Sequence, residues 1–293
     1  MLSILIPVYN YNVLPLVEEI HKQGKSCNKD YEIVIIDDAS SQLMYSPTKI
    51  ENLNQTKLII LDNNIGRSAI RNLLASKATF ENLLFIDAGT MPYSADFLSN
   101  YLNHIKEDIV IGGMKEEHVK PKKPYRLRWL YTKKKEACCE HGVVKRRIYT
   151  SANFLIKKRI VKTFPFDETI TTYGYEDFVF FKSIEANGYD ISFIDNPVIH
   201  DSKESADRFI EKTKQSLRNL LVLEKNKNMH IKEVKIKKWH SIIGKFGLNW
   251  LIAFIFKISK PLLKMNFNSN YPSIILFDFY KLGYLCSITS KTK

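Results

Sequence analysis

Residues 2–8, 31–37, 57–61 and 82–87 are short runs rich in Ile, Leu and Val, and their hydrophobicity is nearly continuous. Strands buried on both faces of a parallel sheet have this pattern. Between them, apolar spacing predicts helical stretches over about 12–23, 48–54 and 66–78. Strand–helix–strand alternation restricts the first third of the chain to the α/β class. The expected form is a Rossmann-like, doubly wound, mostly parallel sheet with right-handed crossovers. A ligand of such a sheet sits outside the carboxyl ends of its strands.

Those four ends carry Pro7-Val8-Tyr9-Asn10, Asp37-Asp38-Ala39-Ser40, Asp62-Asn63-Asn64 and Asp87-Ala88-Gly89. Asp and Asn are common caps and turn formers, which accounts for one or two such ends. Acids gathered at one sheet edge repel unless a cation or a donor-rich ligand is present, so all four together point to a binding site. The ligand class can be narrowed. No glycine follows the first strand, as a dinucleotide-binding turn would require, and no Gly-x-x-x-x-Gly-Lys-[Ser/Thr] loop occurs. Hydride transfer and P-loop ATP hydrolysis are thereby excluded.

Five segments in order, Ile6-Pro7-Val8-Tyr9-Asn10, Ile36-Asp37-Asp38-Ala39-Ser40, Asn64-Ile65-Gly66-Arg67-Ser68-Ala69-Ile70-Arg71-Asn72, Phe85-Ile86-Asp87-Ala88 and Gly174-Tyr175-Glu176-Asp177-Phe178, resemble the signature of bacterial-type family-2 glycosyltransferases with the GT-A fold. The resemblance covers roughly residues 1–200. It implies an inverting enzyme that moves a sugar from a nucleoside-diphosphate sugar, a UDP-sugar above all, to a hydroxyl of a saccharide or lipid-linked acceptor. Cell-surface polysaccharide or glycolipid synthesis is the setting it implies.

The resemblance also assigns roles. Asp38, with Asp37 as the neighbouring alternative, matches the acid that accepts from the donor base, and Pro7 and Tyr9 wall that end. Arg71 matches the arginine that approaches the donor nucleotide. Asp87 matches the first acid of the Asp-x-Asp motif, which holds Mn2+ or Mg2+ against the diphosphate; His200 is the second expected metal contact. The motif's second acid is replaced by Gly89, which leaves metal use open and raises a catalytically impaired donor-binding protein as the alternative. Asp177 matches the catalytic base, on a helix expected over 176–187 whose dipole would keep it ionised. Asn153 and Glu176 are expected beside the acceptor.

The formal net charge is +13, unevenly placed. Lys plus Arg minus Asp plus Glu is 9 − 13 = −4 over residues 1–114, 16 − 4 = +12 over 115–162, 1 − 8 = −7 over 163–202 and 18 − 6 = +12 over 203–293. The organisation expected is a GT-A domain over 1–202, with a donor half at about 1–115 and an acceptor half at about 116–202, followed by a helical, basic and apolar extension over 203–293. In that extension the run from Phe246 to Phe256, with Lys257, Lys260 and Lys264 after it, is shorter than the ~20 residues a spanning helix needs. Tryptophan and flanking lysines suit an interfacial helix on an anionic leaflet. A second apolar stretch runs from Ile274 to Ile288.

Met1 leads directly into the first strand with no basic n-region, so no secretory signal is read. Four cysteines at 27, 138, 139 and 286 make no disulfide framework, and Cys138-Cys139 with His141 is too crowded for a zinc site. A reduced cytoplasmic setting is expected, peripheral at the inner face of the cell membrane. The basic insertion interleaves Tyr125, Trp129, Tyr131 and Tyr149, as single-strand binders do. A nucleic-acid role nevertheless leaves the clustered acids unexplained, and none is expected.

Overall fold

The computed structural model describes residues 1–27, 29–140, 143–200, 203–226 and 229–290. His141 lies outside them. The chain forms two compact units. One comprises residues 1–116, 135–171 and 176–201; the other comprises 117–134, 172–175 and 202–293. Residues 117–134, grouped on sequence with the acceptor half, therefore cluster with the C-terminal segment.

The first unit carries the strands β1 (Leu2–Val8), β2 (Tyr31–Asp37), β3 (Thr56–Ile60), β4 (Asn82–Ile86), β5 (Thr90–Pro92), β6 (Ile109–Ile111), β7 (Met114–Lys115), β8 (Cys139–Glu140), β9 (Val143–Val144), β10 (Asn153–Lys157), β11 (Ser192–Phe193) and β12 (Val198–His200). Its helices are α1 (Leu14–Ser26), α2 (Pro47–Glu51), α3 (Arg67–Lys77), α4 (Phe97–Asn103), α6 (Lys158–Thr163) and α7 (Glu176–Ala186); α5 (Arg126–Tyr131) belongs to the second unit. Seven strands form one sheet in the order β11-β6-β10-β4-β1-β2-β3. β1 pairs in parallel with β2 and β4, and β2 with β3. The sheet is not parallel throughout: β10 runs antiparallel to both β4 and β6. Its five residues end in Lys157 and lead straight into the basic start of α6, so no long apolar run marks the strand in the sequence.

Both sheet faces are covered, which explains the near-continuous apolar strands. Alternate residues of β1 divide between two cores, with Ile4 and Ile6 in one and Leu5 in the other. On the first face pack Leu16, Val17 and Ile20 of α1 with Phe97 and Tyr101 of α4. The other face takes Ile70 and Leu74 of α3 and Phe180, Phe181 and Ile184 of α7. This layering brings the carboxyl ends of β1, β2 and β4 together at one edge. A small sheet in the order β5-β12-β7 and the ribbon β8-β9 complete the unit.

The second unit is helical, with α8 (Ala206–Lys225), α9 (Lys235–Lys245), α10 (Asn249–Phe267) and α11 (Ile274–Thr289) joining α5. Ser205 caps α8 by accepting from the Arg208 N–H, and Ser273 caps α11 by accepting from Leu276. Phe209, Phe277, Phe267 and Tyr280 build its aromatic core, and Phe256 of α10 packs on Gly283 of α11, where a Cβ would come within 2.6 Å of the Phe256 Cβ. The sequence reading placed no helix at α9 and took the 246–256 run as the apolar segment; the helix there starts at Asn249 and continues through Pro261 to Phe267. No single helix among the described residues is long and apolar enough to cross a membrane.

Candidate active site

The sheet edge is organised by its two aspartates before any ligand arrives. Asp37 is wholly buried at the end of β2. It accepts from the Ser40 N–H and Oγ at 2.7 and 2.9 Å and from Tyr45 Oη at 2.8 Å. Burial, followed by the bond to Asp37, raises the Tyr45 phenol well above its usual range, so it stays a donor. Asp38, 4% exposed, accepts from the Ile65 and Gly66 N–H groups at 2.7 and 3.0 Å. Those donors immediately precede α3, so Asp38 fixes the entry of that helix. Gly66 adopts φ +87°, which a side chain would strain. The loops after β1 and β2 are tied together as well: Ser40 Oγ accepts from the Asn10 N–H at 2.7 Å, and Asn10 Oδ1 accepts from the Ser41 N–H and Oγ, each at 2.9 Å. Asn10 and Ala39 both take positive φ, 49° and 56°, strain of the kind that clusters at functional sites. Tyr9 projects from the end of β1 and is 55% exposed, whereas Pro7 is half-buried within the strand.

Arg71 lies one turn beyond Arg67 on α3 and is 2% exposed. Its Nη1 donates to the Arg67 carbonyl at 3.1 Å and its Nη2 to Asp87 Oδ1 at 2.7 Å. The guanidinium stacks 5.6 Å from the Phe166 ring. Asp38 and Asp62, also acids of this edge, are not its counter-ion. Asp38 is instead occupied by backbone N–H groups and Asp62 is exposed, so Asp87 takes that place.

Asp87 follows β4, held by its N–H on the Ala152 carbonyl, while Thr90 Oγ1 donates to the Asp87 carbonyl at 2.7 Å. Gly89 brings no donor group. His200, on β12, stands opposite Thr90 of β5. Among the described residues no three His, Cys, Asp or Glu side chains converge to hold a metal ion. Asp87 and His200 thus do not by themselves make the Mn2+ or Mg2+ centre expected from sequence. The one free acid of the motif is already neutralised by Arg71.

α7 begins at Glu176, as its spacing predicts, and Asp177 Oδ1 accepts from the Phe178 N–H at 2.8 Å. Burial, and after it the Glu176 charge, push the Asp177 carboxyl up to about 7, against the Phe178 N–H and the Arg71 charge; Asp87 adds a further push. The helix N-terminus therefore does not hold Asp177 fully ionised at neutral pH, because desolvation outweighs it. The field of Arg71 and Asp87 reaches Asp177, so the three share one environment.

Two expected acceptor contacts are corrected. Asn153 is wholly buried in β10, where its amide donates to the Gly113 and Asn196 carbonyls at 2.7 and 3.1 Å and accepts from Tyr101 Oη. It ties β10 to the loops after β6 and β11. Glu176 is also buried, 3.6 Å from Arg67 Nη1, and serves that pair. Sequence reasoning missed Tyr45 and the Ile65-Gly66 amides. The second group lay inside a quoted motif, but backbone donors leave no residue-type signal.

The chain belongs to glycosyl transferase family 2, whose sequence model matches residues 3–164. Its fold is GT-A, as solved structures of the same shape show. A mannosyltransferase from Pyrobaculum calidifontis in complex with GDP-Man and Mn2+ superposes with a TM-score of 0.59 at 14% identity, over 99% of this chain and 86% of that one. S. aureus TarS 1–349 in complex with UDP-GlcNAc gives 0.50 at 18% identity, over 99% and 91%. Against a longer S. aureus TarS chain the TM-score is 0.49 at 20% identity, and the match spans only 39% of that chain. No curated protein matches the sequence. The protein is a glycosyltransferase.

Proposed function

We propose that this glycosyltransferase works with inversion, taking a sugar from a nucleoside-diphosphate sugar, with a UDP-sugar favoured, to a hydroxyl of a saccharide or lipid-linked acceptor in cell-surface polysaccharide or glycolipid synthesis. The observation that carries the reading is the Arg71–Asp87 pair at the carboxyl edge of the sheet, together with the Asp177 carboxyl at the start of α7, which burial raises. Asp177 is a carboxylate tuned near neutrality, as a general base should be. It takes the acceptor hydroxyl proton as the acceptor oxygen bonds to the anomeric carbon and the bond to the diphosphate oxygen breaks. Arg71, 2% exposed and paired with Asp87, adds buried positive charge at this edge of the sheet and acts on the leaving charge through the field of the pair. Pro7, the exposed ring of Tyr9 and the Asp37–Asp38 loop form the base end. Recognition there runs through a scaffold already rigid without ligand, which lowers the ordering cost of binding.

The donor expectation is supported by the relatives solved with UDP-GlcNAc and GDP-Man, and divalent-cation use by the one solved with Mn2+. In this chain a cation would act on the donor diphosphate beside Asp87 and His200. The reading is tested with Asp177→Asn and a panel of UDP- and GDP-sugars, each measured for thermal shift with and without Mn2+ and for transfer. The variant is expected to bind donor within about threefold of wild type while losing transfer by a factor on the order of a thousand. Full turnover by Asp177→Asn would sink the base assignment. The replacement of the second acid by Gly89 favours one other reading, an impaired donor-binding protein; wild-type donor binding without transfer to any acceptor would favour it.

A further inference from the structure

We infer that the α9–α10 face of the helical unit docks on an anionic lipid surface. Trp250, Phe254, Ile258, Leu262 and Met265 recur on α10 at spacings of four, four, four and three, which places them on one helical face. All five are solvent-exposed, from 56% for Phe254 to 70% for Met265. The opposite face of the same helix buries Phe256, Leu263 and Phe267 in the unit's core, so the exposed row is not a core stripe awaiting α11. α9 repeats the arrangement with Trp239, Ile242 and, at its end, Phe246, all exposed, while His240 turns inward to Thr289. Scattered exposed apolar residues are ordinary, but contiguous rows on two successive helices are not.

Charge selects the occupant. Between residues 234 and 277 the chain carries seven lysines, at 235, 237, 238, 245, 257, 260 and 264, and no Asp or Glu; Lys237 is held by Glu224 at 2.6 Å, which leaves the other six for a surface. Lys257, Lys260 and Lys264 form their own row on α10, flanking the apolar one, with their aliphatic stems able to reach along the helix. A second copy of this chain on the same face would bring two lysine rows together. An anionic lipid surface instead accepts the apolar row into its acyl boundary and pairs the lysines with headgroups. Trp239 and Trp250 then sit at the depth that indole rings prefer. α9 and α10, bent by 117° at their break, are long and apolar enough to cross only as a pair; the lysines along them favour lying in the interface over crossing it.

The test uses the full chain with vesicles of phosphatidylcholine alone or mixed with phosphatidylglycerol, at low and at high salt. Wild type is expected to co-sediment with the anionic vesicles at low salt and to be released by high salt. Its tryptophan emission should shift to the blue and be quenched by brominated acyl chains, a readout that needs no variant. F254Q/I258Q/L262Q should weaken partitioning at least about tenfold, and K257Q/K260Q/K264Q should cost roughly fivefold per lysine at low salt. Circular dichroism confirms that both variants fold. Wild type that stays in the supernatant at low salt, unquenched tryptophans, undiminished binding by the apolar-row variant, or a dimer that protects this face would each overturn the inference. The donor site plays no part in the binding, so UDP-induced thermal shift in the same samples separates failure here from failure of the proposed function.

Discussion

The guanidinium of Arg71, 2% exposed, lies 2.7 Å from the carboxylate of Asp87, whose own side chain is 32% exposed. One partner is locked in the protein and the other faces the site. Replacing Asp87 with Asn strands a buried charge, so that variant should lose about 2 kcal/mol in urea unfolding, toward the lower end for a half-open pair. Arg71→Met removes the charge and should cost a similar amount. The double variant should lose less than the sum of the two, because the second change removes the charge left unpaired by the first. Strict additivity would mean that the pair contributes no coupling.

Asp177 predicts opposite pH trends for activity and stability. With its carboxyl raised to about 7, transfer should climb as pH rises and level off above that value. Stability moves the other way. The folded group holds a proton that an unfolded aspartate gives up near its ordinary value of 3.8, so its stabilisation is whole below that pH and is lost as pH rises toward about 7. Asp177→Asn removes the penalty. At about pH 8 the inactive variant should be more stable than wild type by on the order of a few kcal/mol, and equal to it in acid. Denaturant melts across pH check this; parallel curves for the two proteins would contradict it.

What could be read in advance follows from what side chains announce. β1 and β2 were legible to the residue, because burial on both faces writes an uninterrupted apolar run. β10 was not, since Lys157 and Lys158 follow its short core and its direction depends on partners distant in sequence. Asp38 and Arg71 were legible as residues of this sheet edge through the motifs that contain them. Their actual partners were not, because Asp38 is held by backbone amides that any residue offers, and the Arg71–Asp87 pairing is a property of how α3 packs beside β4. Asn153 was expected beside the acceptor because the family resemblance puts an Asn there; its burial depends on Tyr101, Gly113 and Asn196 meeting it from other elements.

Asn153 should accordingly behave as a scaffold residue. Asn153→Ala removes the amide donor to the Asn196 carbonyl and the acceptor of the Tyr101 hydroxyl, whose burial holds it well above its usual range and so as a neutral donor, while the Gly113 carbonyl keeps the Val198 N–H. A loss of about 2–4 kcal/mol is expected from unsatisfied polar groups in a closed network. Acceptor KM measured below the variant's unfolding range should stay within about twofold, since such a residue makes no substrate contact. A selective rise in KM with unchanged stability would return Asn153 to the acceptor site.

Gly89 offers a way to add the missing acid. A Cβ built there meets only the Tyr11 ring, at 3.8 Å, and the position lacks the positive φ that would bar a side chain. Gly89→Asp should therefore fold. Without metal, the new carboxylate stands two residues from Asp87, and the like charges should lower Tm by a few degrees, for a cost of about 1 kcal/mol. With Mn2+ present the same pair gains a shared cation, so Tm should recover and UDP binding should become at least about tenfold tighter than in EDTA. Wild type, in which Arg71 already balances Asp87, should gain only a few-fold from Mn2+, a smaller dependence than in the variant. Isothermal titration of UDP with Mn2+ or EDTA, run on both proteins, compares the two dependences directly. A wild type that is fully Mn2+-dependent would show that Arg71 does not stand in for the ion at Asp87, and a variant indifferent to the ion would show that position 89 does not face the diphosphate.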